Sequence, residues 1–254
     1  MAEPFVGAGC QIGVDVTLGQ NAVLHEGVQI GAGSRIGANV VLHAGTAVGP
    51  GVTIFDNAVL GRPPQGTRSL RRTTERLLPP LTIGAGSVIG AGAVLYAGTA
   101  LGEEVLVGDL ASIRENCSIG DLTIIGRGVT VNCRALIGKR VKIMDLAHVT
   151  ADCLIEDDVF ISLQVGMAND PTMGRRAEGQ AAHYQGPIIR RRAAIGAGAT
   201  LVPGVEIGEG AMVAAGSLVN RSIPAWTSAA GLPVRLLGDA PDRPAEHTTP
   251  APAP

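Results

Sequence analysis

The stretch IGAGSVIGAGAVLYAGTALGEEVLV, residues 83–107, places an aliphatic residue at 83, 89, 95, 101 and 107 and a small or β-branched residue four places after each of the first four, at 87, 93, 99 and 105. A step of six is neither the 3.6 of a helix nor the two of a plain strand, so each unit reads as a short strand followed by a sharp turn. The same step runs from Ile12 through Leu18, Leu24, Ile30, Ile36, Leu42, Val48 and Ile54 to Leu60. It continues from Val107 through Ile113, Ile119, Ile125, Val131, Ile137, Ile143, Val149 and Ile155 to Ile161, and returns at Ile189, Ile195, Leu201, Ile207 and Val213. Glycine often follows the aliphatic (13, 19, 31, 37, 84, 90, 120, 126, 138, 196, 208) and is read as supplying the positive φ of the turn. Three units close a triangular coil of about 18 residues, and stacked coils bury a continuous apolar column. The fold class is therefore an all-β parallel solenoid.

Two breaks interrupt the step, at residues 62–82 and 163–187, and both are rich in proline, arginine and polar residues. Excursions of this length from a solenoid tend to carry function. The first contains Arg62, Arg68, Arg71, Arg72 and Arg76, a set suited to a phosphate or to a solvated loop. Residues 1–238 read as one solenoid domain and 239–254 as a Pro/Ala-rich tail with nothing to bury.

Composition limits the function. A formal charge of −2 gives no basic footprint for neutralising phosphates, which argues against nucleic acid as a partner. No basic segment precedes an apolar run at the start, and no stretch of 18 apolar residues occurs, so the expectation is a soluble cytoplasmic protein that does not enter membranes. Aromatic residues make up 2% of the chain, so the core must be built from Ile, Leu, Val and Ala. Cys10, Cys117 and Cys153 occupy the small-residue slot, no C-x-x-C occurs, and all four cysteines are expected to be reduced. The GAG triplets recur at the step of six, which marks them as turns and not as a dinucleotide fingerprint. His25 and His43 lie 18 apart, one coil above the other, but a third nearby histidine of the kind a catalytic zinc needs is missing, so no metal is expected.

The hexad pattern resembles that of the left-handed parallel β-helix acyltransferases over roughly residues 7 to 237; the left hand comes from that resemblance. Ala147-His-Val-Thr-Ala-Asp-Cys153 is similar to the Ala-His-x-x-His-Asp-Cys segment of the sugar-nucleotide O-acyltransferases of lipid A synthesis. Their second histidine is the general base; Ala151 stands at that place here, which leaves His148 as the candidate base with Asp145 as its orienting group. Asp157-Asp-Val-Phe-Ile-Ser-Leu-Gln-Val-Gly-Met-Ala-Asn-Asp170 resembles a segment of bacterial sugar-nucleotide N-acetyltransferases, as do Ala194 to Gly208, Val213 to Val219 and Gly231 to Arg235. The resemblance implies a homotrimer that transfers an acetyl group from acetyl-CoA to an amino group of a nucleotide-linked sugar. It assigns Ala197, Ala199, Ala215 and Gly216 to the pantetheine groove, with Arg191 and Arg235 near the CoA phosphates. Asn132, Asn169, Asp170 and His183 are the candidate acceptor-binding residues. Three alternatives stay open: another acyl group or acceptor, a non-catalytic binding solenoid, and a metalloenzyme of the gamma carbonic anhydrase kind.

Overall fold

The computed structural model describes residues 3–67, 77–175 and 184–244. These form 33 strands, most of them two residues long, in three sheets of 11, 10 and 12 strands that are parallel except for the last pair of the third. Successive strands pass from one sheet to the next, and each strand pairs with the one a full coil away: Phe5 opposite Val23, Leu106 opposite Ile124, Leu136 opposite Leu154. This is the architecture of the left-handed parallel β-helix, a triangular prism of stacked coils. We call its faces A (containing Thr130–Val131 and His148–Val149), B (Leu136–Ile137 and Leu154–Ile155) and C (Lys142–Ile143 and Phe160–Ile161). The chain runs from A to B to C and back to A.

The six-residue step has a direct cause. The second residue of each strand points inward, and from Leu24 onward these aliphatics are at most 5% exposed. The slot four places later holds a residue small enough to turn the corner. At Ser34, Ser87, Thr99 and Thr123 the buried hydroxyl in this slot is satisfied twice; Ser87, for example, donates to the Gly102 carbonyl (3.2 Å) and accepts from the Val105 amide (3.1 Å).

The glycines after the aliphatics serve a different purpose from the one expected. Positive φ occurs two positions later, at Asp15, Asn21, Gly33, Asn39, Leu110, Leu146 and their equivalents. At Gly13, Gly31, Gly90 and Gly196 a Cβ would lie 2.3–2.6 Å from backbone nitrogen atoms of the following coil. They are glycine because coils stack too closely there for any side chain.

The excursions are shorter than the sequence suggested. Arg62 still belongs to the strand Val59–Arg62, opposite Tyr96, and Leu81 is already back in the core. Gly166–Met167 forms a strand between His148 and Thr200, with Val165 and Met167 buried, so the coil continues past 163 and the second excursion leaves after Ala168. The tail boundary also moves. Arg235–Asp239 pairs antiparallel with Thr227–Ala230, Ala240 is buried, and its N–H donates to the Trp226 carbonyl at 2.8 Å. Ala229 and Val234 of this closing segment join the core cluster and cap the C-terminal end of the apolar column. Residues 245–254 of the expected tail, and Arg68, Arg71, Arg72 and Arg76 of the first excursion, lie outside the described residues. No helix of the described residues is long and apolar enough to cross a membrane.

Candidate functional site on face A

The first residue of each strand points outward, and on face A the outward column reads Ser112, Thr130, His148, Gly166, Thr200. His148 is half-buried, and its Nδ1 lies 2.7 Å from Oγ1 of Thr130 in the preceding coil. Burial holds its pKa below the ordinary 6.5, so the imidazole is neutral at pH 7. In the following coil Gly166 leaves open space, since a Cβ built there meets no atom within 4 Å. A neutral imidazole with one nitrogen engaged, beside a gap, is the arrangement a proton acceptor needs.

Asp145 is not the orienting group. It sits on the C–A corner, where Oδ1 accepts the Arg127 amide (3.0 Å) and Oδ2 accepts the Arg127 guanidinium (2.7 and 3.0 Å). Those bonds hold its carboxyl below the usual carboxylate range. Asp56, Asp109, Asp121 and Asp157 accept a corner amide one coil back in the same way, so Asp145 is one rung of a structural ladder. The side chain against the His148 ring is that of Thr130. Counting 18 back from His148 points to Thr130, but the 2.7 Å contact depends on both rotamers and had no signal in the sequence.

Asn132, Asn169 and Asp170 gather on the A–B corner, one edge of face A. The Asn132 Oδ1 accepts the Cys133 amide (3.1 Å), and Asn169 Nδ2 donates to the Ala151 carbonyl (3.3 Å). Asp170 accepts from the Thr172 amide, the Thr172 hydroxyl and the Gly174 amide, which folds the start of the second excursion into a local turn. Ala151, at the place of the second histidine, is buried below Asn169. His183 lies outside the described residues.

The C–A corner forms the opposite edge of face A and carries Ala197, Ala215 and Gly216, with the Gly216 N–H donating to the Ala197 carbonyl at 2.8 Å. A Cβ at Gly198 or Gly216 would meet nothing within 4 Å, so this edge is open to a narrow chain. Ala199 is fully buried, its N–H donates to Gly196 and its carbonyl accepts from Gly166, which removes it from the surface. The three consecutive arginines separate. Arg190 is held between Glu156 (2.8 Å) and Glu206 (2.7 Å), which raise its pKa. Arg192 lies over the Trp226 ring. Arg191 is on the B–C corner, where it lines an open groove with Leu136, Leu154 and Asp157, so within one chain it does not share an edge with Ala197. Arg235 is exposed on the closing hairpin.

His25 and His43 stack, with ring centroids 5.1 Å apart and 16° between planes. Among the described residues no group of three or more His, Cys, Asp or Glu is placed to hold a metal ion. All four cysteines are free, and burial pushes the Cys117 and Cys153 thiols up to about 12.

Comparison with known proteins agrees with this geometry at the level of the repeat. Residues 3–44 and 186–221 match the family described as bacterial transferase hexapeptide (six repeats), and residues 80–108 match the hexapeptide repeat of succinyl-transferase. Serine acetyltransferase of Escherichia coli (strain K12) is 46% identical over 52 residues, 20% of this chain and 19% of that protein. The 2,3,4,5-tetrahydropyridine-2,6-dicarboxylate N-acetyltransferase of Staphylococcus aureus is 43% identical over 53 residues, 21% of this chain and 22% of that protein. The chain thus covers about a fifth of the length of these relatives. Among solved structures, the UDP-N-acetylglucosamine acyltransferase of Arabidopsis superposes with a TM-score of 0.61 at 16% identity, covering 93% of this chain and 72% of that one, which is a likeness of fold.

Proposed function

We propose that this hexapeptide-repeat β-helix protein is an acyltransferase that transfers an acetyl group from acetyl-CoA to an amino group of a nucleotide-linked amino sugar, as a homotrimer. The observation that carries the reading is the His148–Thr130 pair on face A, beneath the open space at Gly166 and between two edges of different character. The C–A edge, with Ala197, Ala215 and Gly216, offers backbone and no bulk to a pantetheine arm. The A–B edge, with Asn132 and Asn169, offers amides to a polar acceptor.

In this reading Nδ1–H of His148 donates to Thr130 Oγ1, which leaves the Nε2 lone pair toward the groove. The acceptor amine attacks the thioester carbonyl carbon as Nε2 takes its proton. The C–N bond forms, the C–S bond breaks, and the imidazolium returns the proton to the departing thiolate. Base catalysis of this kind contributes about 10²- to 10⁴-fold, and holding the two substrates in line contributes further. Arg235 is assigned to the CoA phosphates. Trimer formation would cover the apolar outer side of face C, where Leu106, Phe160 and Met212 are exposed.

Incubation with acetyl-CoA and a set of nucleotide-linked amino sugars, read by thiol release and a product mass increased by one acetyl group, tests the reading. Release of CoA only with an amino-sugar acceptor is the expected result. Transfer only to hydroxyl acceptors, or none to any acceptor, would overturn it.

A further inference from the structure

On the A–B corner, five successive coils carry a planar side chain at one position: His25, His43, Arg62, Tyr96 and Arg114. Beyond them the column changes to Asn132, Thr150 and Ala168. The guanidinium carbons of Arg62 and Arg114 each lie 5.3 Å from the centroid of the Tyr96 ring, and Arg62 Nη1 donates to the Tyr96 hydroxyl at 3.2 Å. The chain departs from its repeat to make this arrangement. A β-bulge at Gly61 (φ 76°) shifts the register so that Arg62 comes to lie opposite Tyr96. The bulge has a cost one coil earlier. Buried hydroxyls in this slot donate to the carbonyl 15 residues on, as Thr99 does to Arg114 (2.7 Å). For Thr46 that carbonyl belongs to the displaced Gly61, and Thr46 Oγ1 is buried with no partner. A buried unsatisfied hydroxyl is uncommon and calls for a reason, and the bulge that causes it is what delivers Arg62 to the column.

Among the described residues, charge on this column is not balanced. Arg114 is held by both oxygens of buried Glu115 (2.8 and 2.9 Å) and keeps N–H groups to spare. Arg62 is exposed and makes no carboxylate contact among the described residues. Burial, His25 and Arg62 hold the His43 pKa below 6.5, so the stack keeps a cation at Arg62 and a neutral ring beside it.

The column lies beside face A on the N-terminal side of His148. Strands stack about 4.7–4.9 Å apart, which places Arg114 about 10 Å and Arg62 about 19 Å from the His148 strand along the prism. Between them the outward residues of face A are Thr130, Ser112, Val94 and Val59, hydroxyls first and then an aliphatic floor. We propose that Arg62, Tyr96 and Arg114 form a phosphoryl subsite that takes the phosphate or diphosphate of the acceptor while its amine lies at His148. This rests on the proposed reaction at face A. Guanidinium forks match phosphate oxygens, and two of them on either side of one ring, with Glu115 the single counter-carboxylate among the described residues, suit a ligand of more than one negative charge.

Titration calorimetry of the full chain with inorganic pyrophosphate, with malonate as the carboxylate comparison, tests the subsite. Wild type is expected to bind pyrophosphate at least tenfold more tightly than malonate, and more weakly at 200 mM than at 50 mM salt. Arg62→Gln should weaken pyrophosphate at least tenfold and Arg62→Lys less, whereas Arg127→Gln on the C–A corner should leave it unchanged. Equal affinity in Arg62→Gln and wild type, no binding by wild type, or malonate binding as tightly as pyrophosphate would overturn the proposal. A matching thermal midpoint for Arg62→Gln shows that folding is intact. Loss of pyrophosphate in Arg62→Gln from a protein that transfers no acyl group would sink the proposed reaction and leave the subsite standing; acyl transfer with unaltered pyrophosphate binding in that variant would do the reverse.

Discussion

Thr130→Val removes the hydroxyl that faces His148 and keeps the shape of the side chain. The structure sets the size of the effect. One neutral hydrogen bond of 2.7 Å on a half-buried face is lost, and such a bond contributes about 1 kcal/mol net, or about fivefold in the preference for the Nδ1–H tautomer. Because burial alone keeps the imidazole neutral, the variant should retain an uncharged His148 and lose only the fixed direction of its lone pair. The expected kcat is about fivefold below wild type, with acetyl-CoA affinity unchanged and the activity of Thr130→Ser close to wild type. Activity should rise with pH through an apparent pKa below 6.5 and then level off, in both proteins, since a base with a lowered pKa is deprotonated from lower pH upward. Asp145→Asn, which touches only the Arg127 rung, should have the kcat and pH profile of wild type. Steady-state kinetics from pH 5 to 9 on the four proteins decide it, with ¹⁵N chemical shifts of His148 reporting the tautomer directly. Wild-type turnover in Thr130→Val, or a fivefold loss in Asp145→Asn, would refute the reasoning.

Three further outcomes follow from the coils. Gly31→Ala puts a Cβ 2.3 Å from the Pro50 nitrogen and should cost about 3 kcal/mol, the upper end for overpacking, while Gly33→Asn at a φ of 69° should stay within about 0.5 kcal/mol; denaturant unfolding that ranks them the other way would contradict the stacking argument. Asp121, Asp145 and Asp158, the last bonded to the Arg140 guanidinium, have carboxyl pKa values lowered first by side-chain bonds from Lys139, Arg127 and Arg140, so their stabilisation is complete above about pH 3.8 and is lost as pH falls through the lowered values; a thermal midpoint unchanged between pH 4 and 2 would show these ion pairs to be idle. With thiols at about 12, Cys117 and Cys153 are about one part in 10⁴ thiolate at pH 8, so iodoacetamide should leave both unmodified in the native protein by peptide mass, and rapid labelling of either would show that the corner is open.

Much of the architecture is readable because the inward residue of every coil must be aliphatic, and a step of six repeated from Ile12 to Val213 matches neither a helix nor a flat sheet. The failures are local. Met167 continues the core but is not a branched aliphatic, so the aliphatic series stops short at Ile161 although the coil goes on. Glycine after the aliphatic reads as a demand of backbone conformation because a lone sequence shows one coil at a time, and the close approach that forbids a Cβ comes from the next coil. The tail boundary falls too early, at 239, because a Pro/Ala-rich composition gives no hint that Trp226 and Ala240 meet. At the site, stacking arithmetic puts Thr130 and Gly166 on either side of His148, whereas the capture of Asp145 by Arg127, the withdrawal of Ala199 and the scattering of Arg190, Arg191 and Arg192 depend on which corner each residue turns.

The proposed reaction stands or falls on His148 as the proton acceptor on face A. The most direct measurement is acetyl transfer from acetyl-CoA to an amino-sugar acceptor by wild type and by His148→Ala, with acetyl-CoA affinity measured in parallel. The account predicts a kcat lower by about 10²- to 10⁴-fold in the variant, with acetyl-CoA bound as tightly as by wild type. Full turnover in His148→Ala would contradict it.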